Sequence, residues 1–181
     1  MNWFETQKWN SLNLLELGAG GSTLYFAKFF KSVTSLETNQ KWFDELLLKI
    51  PSNVNLVKAS NILDSLQENY ISDIHSFDVI LIDASENRAN LTRWLVKKGY
   101  KRIIFFDNAE WYRKSVGIFL EEDFLEIPFF GLKPIEDWVS CTSVLADPST
   151  FNSFLSSDWV SLPKLSWELD NSWDDENDRS G

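Results

Sequence analysis

The feature that most constrains this chain is a short apolar run at residues 12–17. It ends in Gly18-Ala19-Gly20-Gly21 and passes at once into a stretch of helical periodicity. A strand that feeds a glycine turn and then a helix opens a βαβ unit, because a parallel partner strand can be reached only through a crossover. Glycine admits positive φ and lets a ligand approach where a Cβ would stand. The N–H groups at the start of the following helix favour an anion, here a carboxylate.

The same alternation continues along the chain. Residues 32–36 read as a second strand ending at Glu37, and residues 53–57 as a third. Residues 77–82, apolar apart from Asp78, read as a strand covered on both faces and end at Asp83. Residues 101–106 make a fifth strand ending at Asp107-Asn108. Helical stretches fall at about 22–30, 39–50, 62–70, 83–98 and 110–122, with Asn39 as a cap, Pro51 as a stop and Gly99 as a C-cap. Residues 124–130 and 139–145 then follow each other with no helix between them, which predicts a closing antiparallel hairpin. The expected fold is α/β, a Rossmann-like three-layer sandwich on a mostly parallel sheet. Residues 1–165 form one domain, and residues 166–181 an acidic tail expected to be disordered.

Charge narrows the partners. The net charge is −10, part of it in the terminal run Asp174-Asp175-Glu176-Asn177-Asp178. Phosphate binding needs clustered Lys and Arg, so no nucleic acid is expected as partner or substrate. The single cysteine, Cys141, forms no internal disulfide, and no apolar run approaches the roughly 20 residues that span a bilayer. Residues 1–5 do not read as a signal peptide. A cytoplasmic protein that does not enter a membrane is the expectation.

Glu37 gives the glycine turn its context. An acidic residue ending the second strand can accept both hydroxyls of an adenosine ribose, and ligands of open α/β sheets bind at the carboxyl ends of the strands. A dinucleotide turn would carry a third glycine where this chain has Thr23, so NAD is disfavoured.

Glu16-x-Gly18-x-Gly20 with Glu37 resembles the cofactor signature of class I S-adenosylmethionine-dependent methyltransferases, and residues 77–83 are similar to their fourth strand. The resemblance covers about residues 12–146. It implies a seven-stranded sheet in the order 3-2-1-4-5-7-6 with strand seven antiparallel. It also implies a cofactor site at Glu16, Gly18, Ala19, Gly20, Ser22, Thr23, Glu37, Asn61 and Asp83. At Asn61 the family's usual Gly-Asp is Ser60-Asn61.

Asp83, Asp107 and Asn108 end adjacent strands. They resemble the divalent-metal site of the catechol and caffeoyl-CoA type O-methyltransferases, which implies Mg²⁺ or another divalent cation. In that arrangement the metal acidifies a substrate hydroxyl and holds it in line with the methyl group. Two departures stand out. Those enzymes carry a lysine where this chain has Glu86, and they have helices before the first strand where this chain has eleven residues. The other reading leaves Asp83 and Asp107 in direct contact with the acceptor, or capping the helices that follow. Trp111, Tyr112 and Trp138 can wall an acceptor pocket, whose aromatic faces would suit a cationic amine, or can pack against the hairpin.

His75 precedes the fourth strand away from the ligand edge and reads as a loop residue. Cys141 reads as core, and the basic cluster Lys97, Lys98, Lys101 and Arg102 as solvated surface. The expectation is methyl transfer to an oxygen or nitrogen of a small-molecule acceptor, with Asp83 and Asp107 as the catalytic carboxylates. A homo-oligomer would cover the open pocket that a short N-terminal segment leaves. The alternative is a non-catalytic module that keeps the fold as a scaffold or cofactor sensor.

Overall fold

The computed structural model describes residues 3–67, 73–85, 87–132 and 139–150. Glu86, Trp138 and the acidic tail 166–181 lie outside the described residues. So do the end of the helix expected at 62–70 and most of the loop at 131–138. The seven strands follow the order β3-β2-β1-β4-β5-β7-β6, the order implied by the resemblance. The chain divides into two units, residues 1–85 and 86–181, described in turn.

The first unit holds α1 (Trp3–Thr6), β1 (Asn13–Leu17), α2 (Gly21–Phe26), β2 (Ser32–Glu37), α3 (Gln40–Leu47), β3 (Val54–Lys58), α4 (Ile62–Gln67) and β4 (Val79–Ile82). β1 pairs in parallel with β2 and with β4, and β2 pairs in parallel with β3. Leu14, Leu15, Leu17, Val33, Leu36 and the whole of β4 are buried; β4, covered on both faces, is apolar without alternation, whereas β1 and β2 also bury the polar Glu16, Ser35 and Glu37. The fourth strand is shorter than expected. Asp78 instead clamps the start of β1, its carboxylate accepting from the Asn13 N–H at 2.9 Å while its own N–H donates to the Asn13 carbonyl. Asn39 caps α3 as expected, accepting from the Trp42 N–H at 3.1 Å.

The segment before β1 does more than the sequence suggested. Trp9 is 1% exposed, and its indole N–H donates to the Phe4 carbonyl at 2.6 Å. The Phe4 ring stacks on Trp9 at 4.9 Å and meets Phe29 edge-on at 5.2 Å. Leu12 connects this cluster to the residues between α2 and β2 through Lys31. Much of the aromatic content near the N-terminus therefore packs where β1 begins, at the opposite end of that strand from the glycine turn.

The second unit holds α5 (Arg88–Lys97), β5 (Ile103–Phe106), α6 (Arg113–Glu121), β6 (Leu125–Leu132) and β7 (Val139–Ala146). β7 runs antiparallel to both β5 and β6, so the expected hairpin is present. Gly99 ends α5 at φ 69°, with its N–H on the Val96 carbonyl and the Tyr100 N–H on the Leu95 carbonyl. That is a Schellman closure with a buried C″ side chain, Tyr100. The Arg113 guanidinium grips both oxygens of Glu126 at 2.7 and 2.9 Å, tying α6 to β6, and the Ser143 hydroxyl of β7 donates to the same carboxylate at 2.6 Å. α6 starts later than expected. Asn108 takes a left-handed conformation (φ 53°), and the Ala109 N–H is held by the Cys141 carbonyl, so residues 107–111 form a turn.

Candidate functional site

Of the glycines in the turn after β1, only Gly18 is required by backbone geometry. Its φ is 104°, and a Cβ there would stand 2.6 Å from the Asp83 carbonyl oxygen and 2.8 Å from its carbon. Gly20 is different. Its φ of −173° is extended backbone open to any residue, and a Cβ would meet nothing nearer than the Ser22 hydroxyl oxygen at 3.8 Å. What glycine provides at Gly20 is therefore open approach rather than conformation.

The turn's amides are largely engaged by side chains. Ala19 donates to Glu37 Oε2 at 3.0 Å, and Gly20 donates to Thr23 Oγ1 at 3.0 Å. Glu37 also accepts from the Asn39 N–H at 2.6 Å through Oε1, so its carboxylate is held between the glycine turn and the segment leaving β2.

Glu16 occupies the floor beneath this turn. It is fully buried, and its carboxylate accepts from the hydroxyls of Ser22, Thr23 and Ser35, each at 2.5 Å. Burial pushes its carboxyl above the ordinary range; the three hydroxyls oppose the shift and the nearby Glu37 charge adds to it. Glu16, Ser22 and Thr23 are thus brought together as an internal brace. Ser35, the third donor, carried no signal in the sequence, because its role depends on β2 lying beside β1.

Asn61 caps α4, its side-chain oxygen accepting from the Asp64 N–H at 3.1 Å. Asp83 stands just past β4, its N–H on the Leu17 carbonyl and its own carbonyl against Gly18. Lys58, the last residue of β3, donates to the Thr38 carbonyl at 2.8 Å and to the Ala59 carbonyl at 3.1 Å.

In the second unit, Asp107 and Asn108 follow β5, and the start of β7 is fastened to them. Thr142 donates to Asp107 Oδ1 at 2.6 Å, the Asn108 amide donates to the Ser140 hydroxyl at 3.2 Å, and the Cys141 N–H donates to Glu110 Oε2 at 2.9 Å. The other Glu110 oxygen is buried without a hydrogen-bond partner among the described residues. Tyr112 is buried, its ring 6.2 Å from that of Phe106, whereas Trp111 is part-exposed.

Arg88, absent from the sequence reading, is 5% exposed. Its guanidinium donates to the Asp107 carbonyl and lies 4.4 Å from the Tyr112 ring centre. The available signal was its helical spacing from the buried Leu91, Thr92 and Leu95, which puts Arg88 on the inward stripe of α5.

Among the described residues no group of three or more His, Cys, Asp and Glu could hold a metal ion. The Asp107 and Asn108 side chains are engaged by Thr142 and Ser140, so the metal reading of Asp83, Asp107 and Asn108 gains no support. Cys141 is buried, its thiol pushed up to about 11, chiefly by burial, and it lies 3.7 Å from the Ser143 hydroxyl. His75 and the cluster Lys97, Lys98, Lys101 and Arg102 are exposed.

No protein-family model and no curated protein sequence matches the chain. Solved structures do share its fold. A precorrin-6y methyltransferase from Geobacter metallireducens superposes with a TM-score of 0.60 at 12% identity, over 80% of this chain and 86% of that one. A tRNA methyltransferase from B. subtilis gives 0.57 at 12% identity, over 88% and 68%. The N-methyltransferase NodS from Bradyrhizobium japonicum, in complex with S-adenosyl-L-homocysteine, gives 0.56 at 16% identity, over 76% and 78%. The chain has the Rossmann-like fold of these methyltransferases. No described helix is long and apolar enough to cross a membrane.

Proposed function

We propose that this chain is an S-adenosylmethionine-dependent methyltransferase acting on an oxygen or nitrogen of a small-molecule acceptor. The observation that carries the reading is the Glu37 carboxylate. It ends β2, is 7% exposed, and is pinned to the Ala19 N–H of a turn whose Gly20 is open to approach. A carboxylate so held is a pre-oriented acceptor for the two ribose hydroxyls of an adenosine.

The cofactor supplies an electrophilic sulfonium methyl group. In-line transfer asks the protein chiefly to position the partners and to provide a complementary field. In this reading Glu37 takes the ribose and the open backbone at Gly20 admits the amino-acid end. Glu16, Ser22 and Thr23 hold the turn in shape from beneath, while Asn61 and Asp83 flank the nucleoside. Asp107 and Asn108, braced by Thr142 and Ser140, face the acceptor together with Trp111. Tyr112 acts behind them by supporting the same turn.

The net charge of −10 argues for a small acceptor over a polyanion, although some fold neighbours are tRNA methyltransferases. A cytoplasmic setting and a homo-oligomer belong to the same reading. The test is transfer of labelled methyl from S-adenosylmethionine to pools of small amines, phenols and carboxylic acids, with and without Mg²⁺. Labelled product that vanishes in Asp107→Ala supports the reading, and product that requires Mg²⁺ supports the divalent cation. Cofactor binding without transfer to any pool would favour the non-catalytic sensor.

A further inference from the structure

Lys58 and Glu37 are register partners across β3 and β2, so their side chains leave the sheet side by side on one face. A lysine in that position ordinarily pairs with the carboxylate or runs out to water. Lys58 is part-buried and does neither. Its ammonium bridges two main-chain carbonyls, Thr38 at 2.8 Å and Ala59 at 3.1 Å. Those carbonyls belong to the segments leaving β2 and β3. A third link joins the same segments, the Ala59 N–H donating to the Glu37 carbonyl at 2.9 Å.

Two consequences follow. The segments after β2 and β3 are cross-tied at a fixed spacing, and charge-assisted hydrogen bonds to part-buried carbonyls are among the stronger ones available for this. The Glu37 carboxylate, for its part, has no ammonium upon it among the described residues. Among the described residues it accepts only from backbone N–H groups, those of Ala19 and Asn39, and keeps lone pairs for further donors.

We propose that Lys58 is a positioning residue for the nucleoside half of the ligand. It sets the spacing of the two segments that bracket an adenosine, and it directs its charge to carbonyls so that Glu37 stays open to the ribose. The inference rests on the cofactor reading above.

The test is calorimetric titration of S-adenosylhomocysteine and of adenosine into the wild type, Glu37→Ala, Lys58→Met and Lys58→Arg, with a thermal melt of each protein. Lys58→Met is expected to weaken both ligands by a similar factor, on the order of tenfold or 1.4 kcal/mol. Lys58→Arg, which keeps donors for both carbonyls, is expected to recover most of the loss. If Lys58→Met does not fold, Lys58→Gln carries the same expectation. A lowered melting temperature with unchanged affinity in the folded variant would overturn the inference. If the wild type binds and Glu37→Ala weakens it while Lys58→Met does not, this inference fails and the cofactor reading stands. If the wild type binds neither ligand, both fail.

Discussion

Gly18 and Gly20 look equivalent in the sequence, but the structure predicts opposite consequences for the same change. At Gly18 an added methyl meets rigid backbone: the Asp83 oxygen at 2.6 Å, the Asp83 carbon at 2.8 Å and the Ala84 nitrogen at 3.0 Å. The φ of 104° adds its own penalty for any L side chain. Such backbone strain costs about 1–3 kcal/mol, and overpacking against atoms that cannot swing aside costs about 1–3 kcal/mol more. Gly18→Ala should therefore lose about 4 kcal/mol in urea or guanidinium unfolding, taking the middle of the summed range. For a chain of this length that is roughly an 8–16 °C drop in melting temperature. Gly20→Ala, with extended backbone and nothing nearer than 3.8 Å, should stay within about 0.5 kcal/mol of wild type. Its loss should appear in the affinity for S-adenosylhomocysteine. A Gly18→Ala protein as stable as wild type, or a Gly20→Ala protein as destabilised as Gly18→Ala, would show that the two glycines do not differ in this way.

Other predictions concern buried groups. The folded Glu16 carboxyl sits above its unfolded value near 4.5, so this group favours the folded state increasingly as the pH falls from neutral toward 4.5. Glu16→Gln should remove that trend from denaturant midpoints measured across the interval. For Glu126, burial raises the carboxyl, but the Arg113 and Ser143 hydrogen bonds and the Arg113 charge outweigh it, and the net shift is downward. Its contribution is present above about 4.5 and lost as the pH falls through the folded value. Arg113→Met should cost about 2 kcal/mol at neutral pH, shrinking in acid, when the same midpoints are compared with wild type. Trp9→Ala should cost about 3–5 kcal/mol in denaturant unfolding, because the indole is almost wholly enclosed. The Cys141 thiol, buried and protonated at neutral pH, should react with Ellman's reagent only after unfolding.

The residues at strand ends were legible because the α/β architecture gathers ligand contacts there. Gly18, Asp83 and Asp107 each follow a largely apolar run whose length identifies the strand, and Glu37 ends a short run of β-branched and small residues. The strand order came from resemblance to a known family, since a parallel sheet leaves no local mark of which strand lies beside which. That gap explains most of what was missed. Ser35 matters because β2 brings its hydroxyl to Glu16, and Lys58 because β3 places it beside Glu37. The late start of α6 has the same origin, the Ala109 N–H being held by Cys141, a residue far along the chain. Tyr112 was grouped with Trp111 because the two adjoin in sequence, yet the turn at Asn108 carries the Tyr112 ring under Arg88.

Glu37 and the turn at Gly18–Gly20 are proposed to form an adenosine-binding cofactor site. Its most direct test is the titration of S-adenosylhomocysteine into wild type and into Glu37→Ala. Micromolar binding to the wild type and at least a tenfold loss in the variant, about 1.4 kcal/mol, are expected, with both proteins folded. Binding that Glu37→Ala leaves untouched, or no binding to a folded wild type, would contradict this proposal.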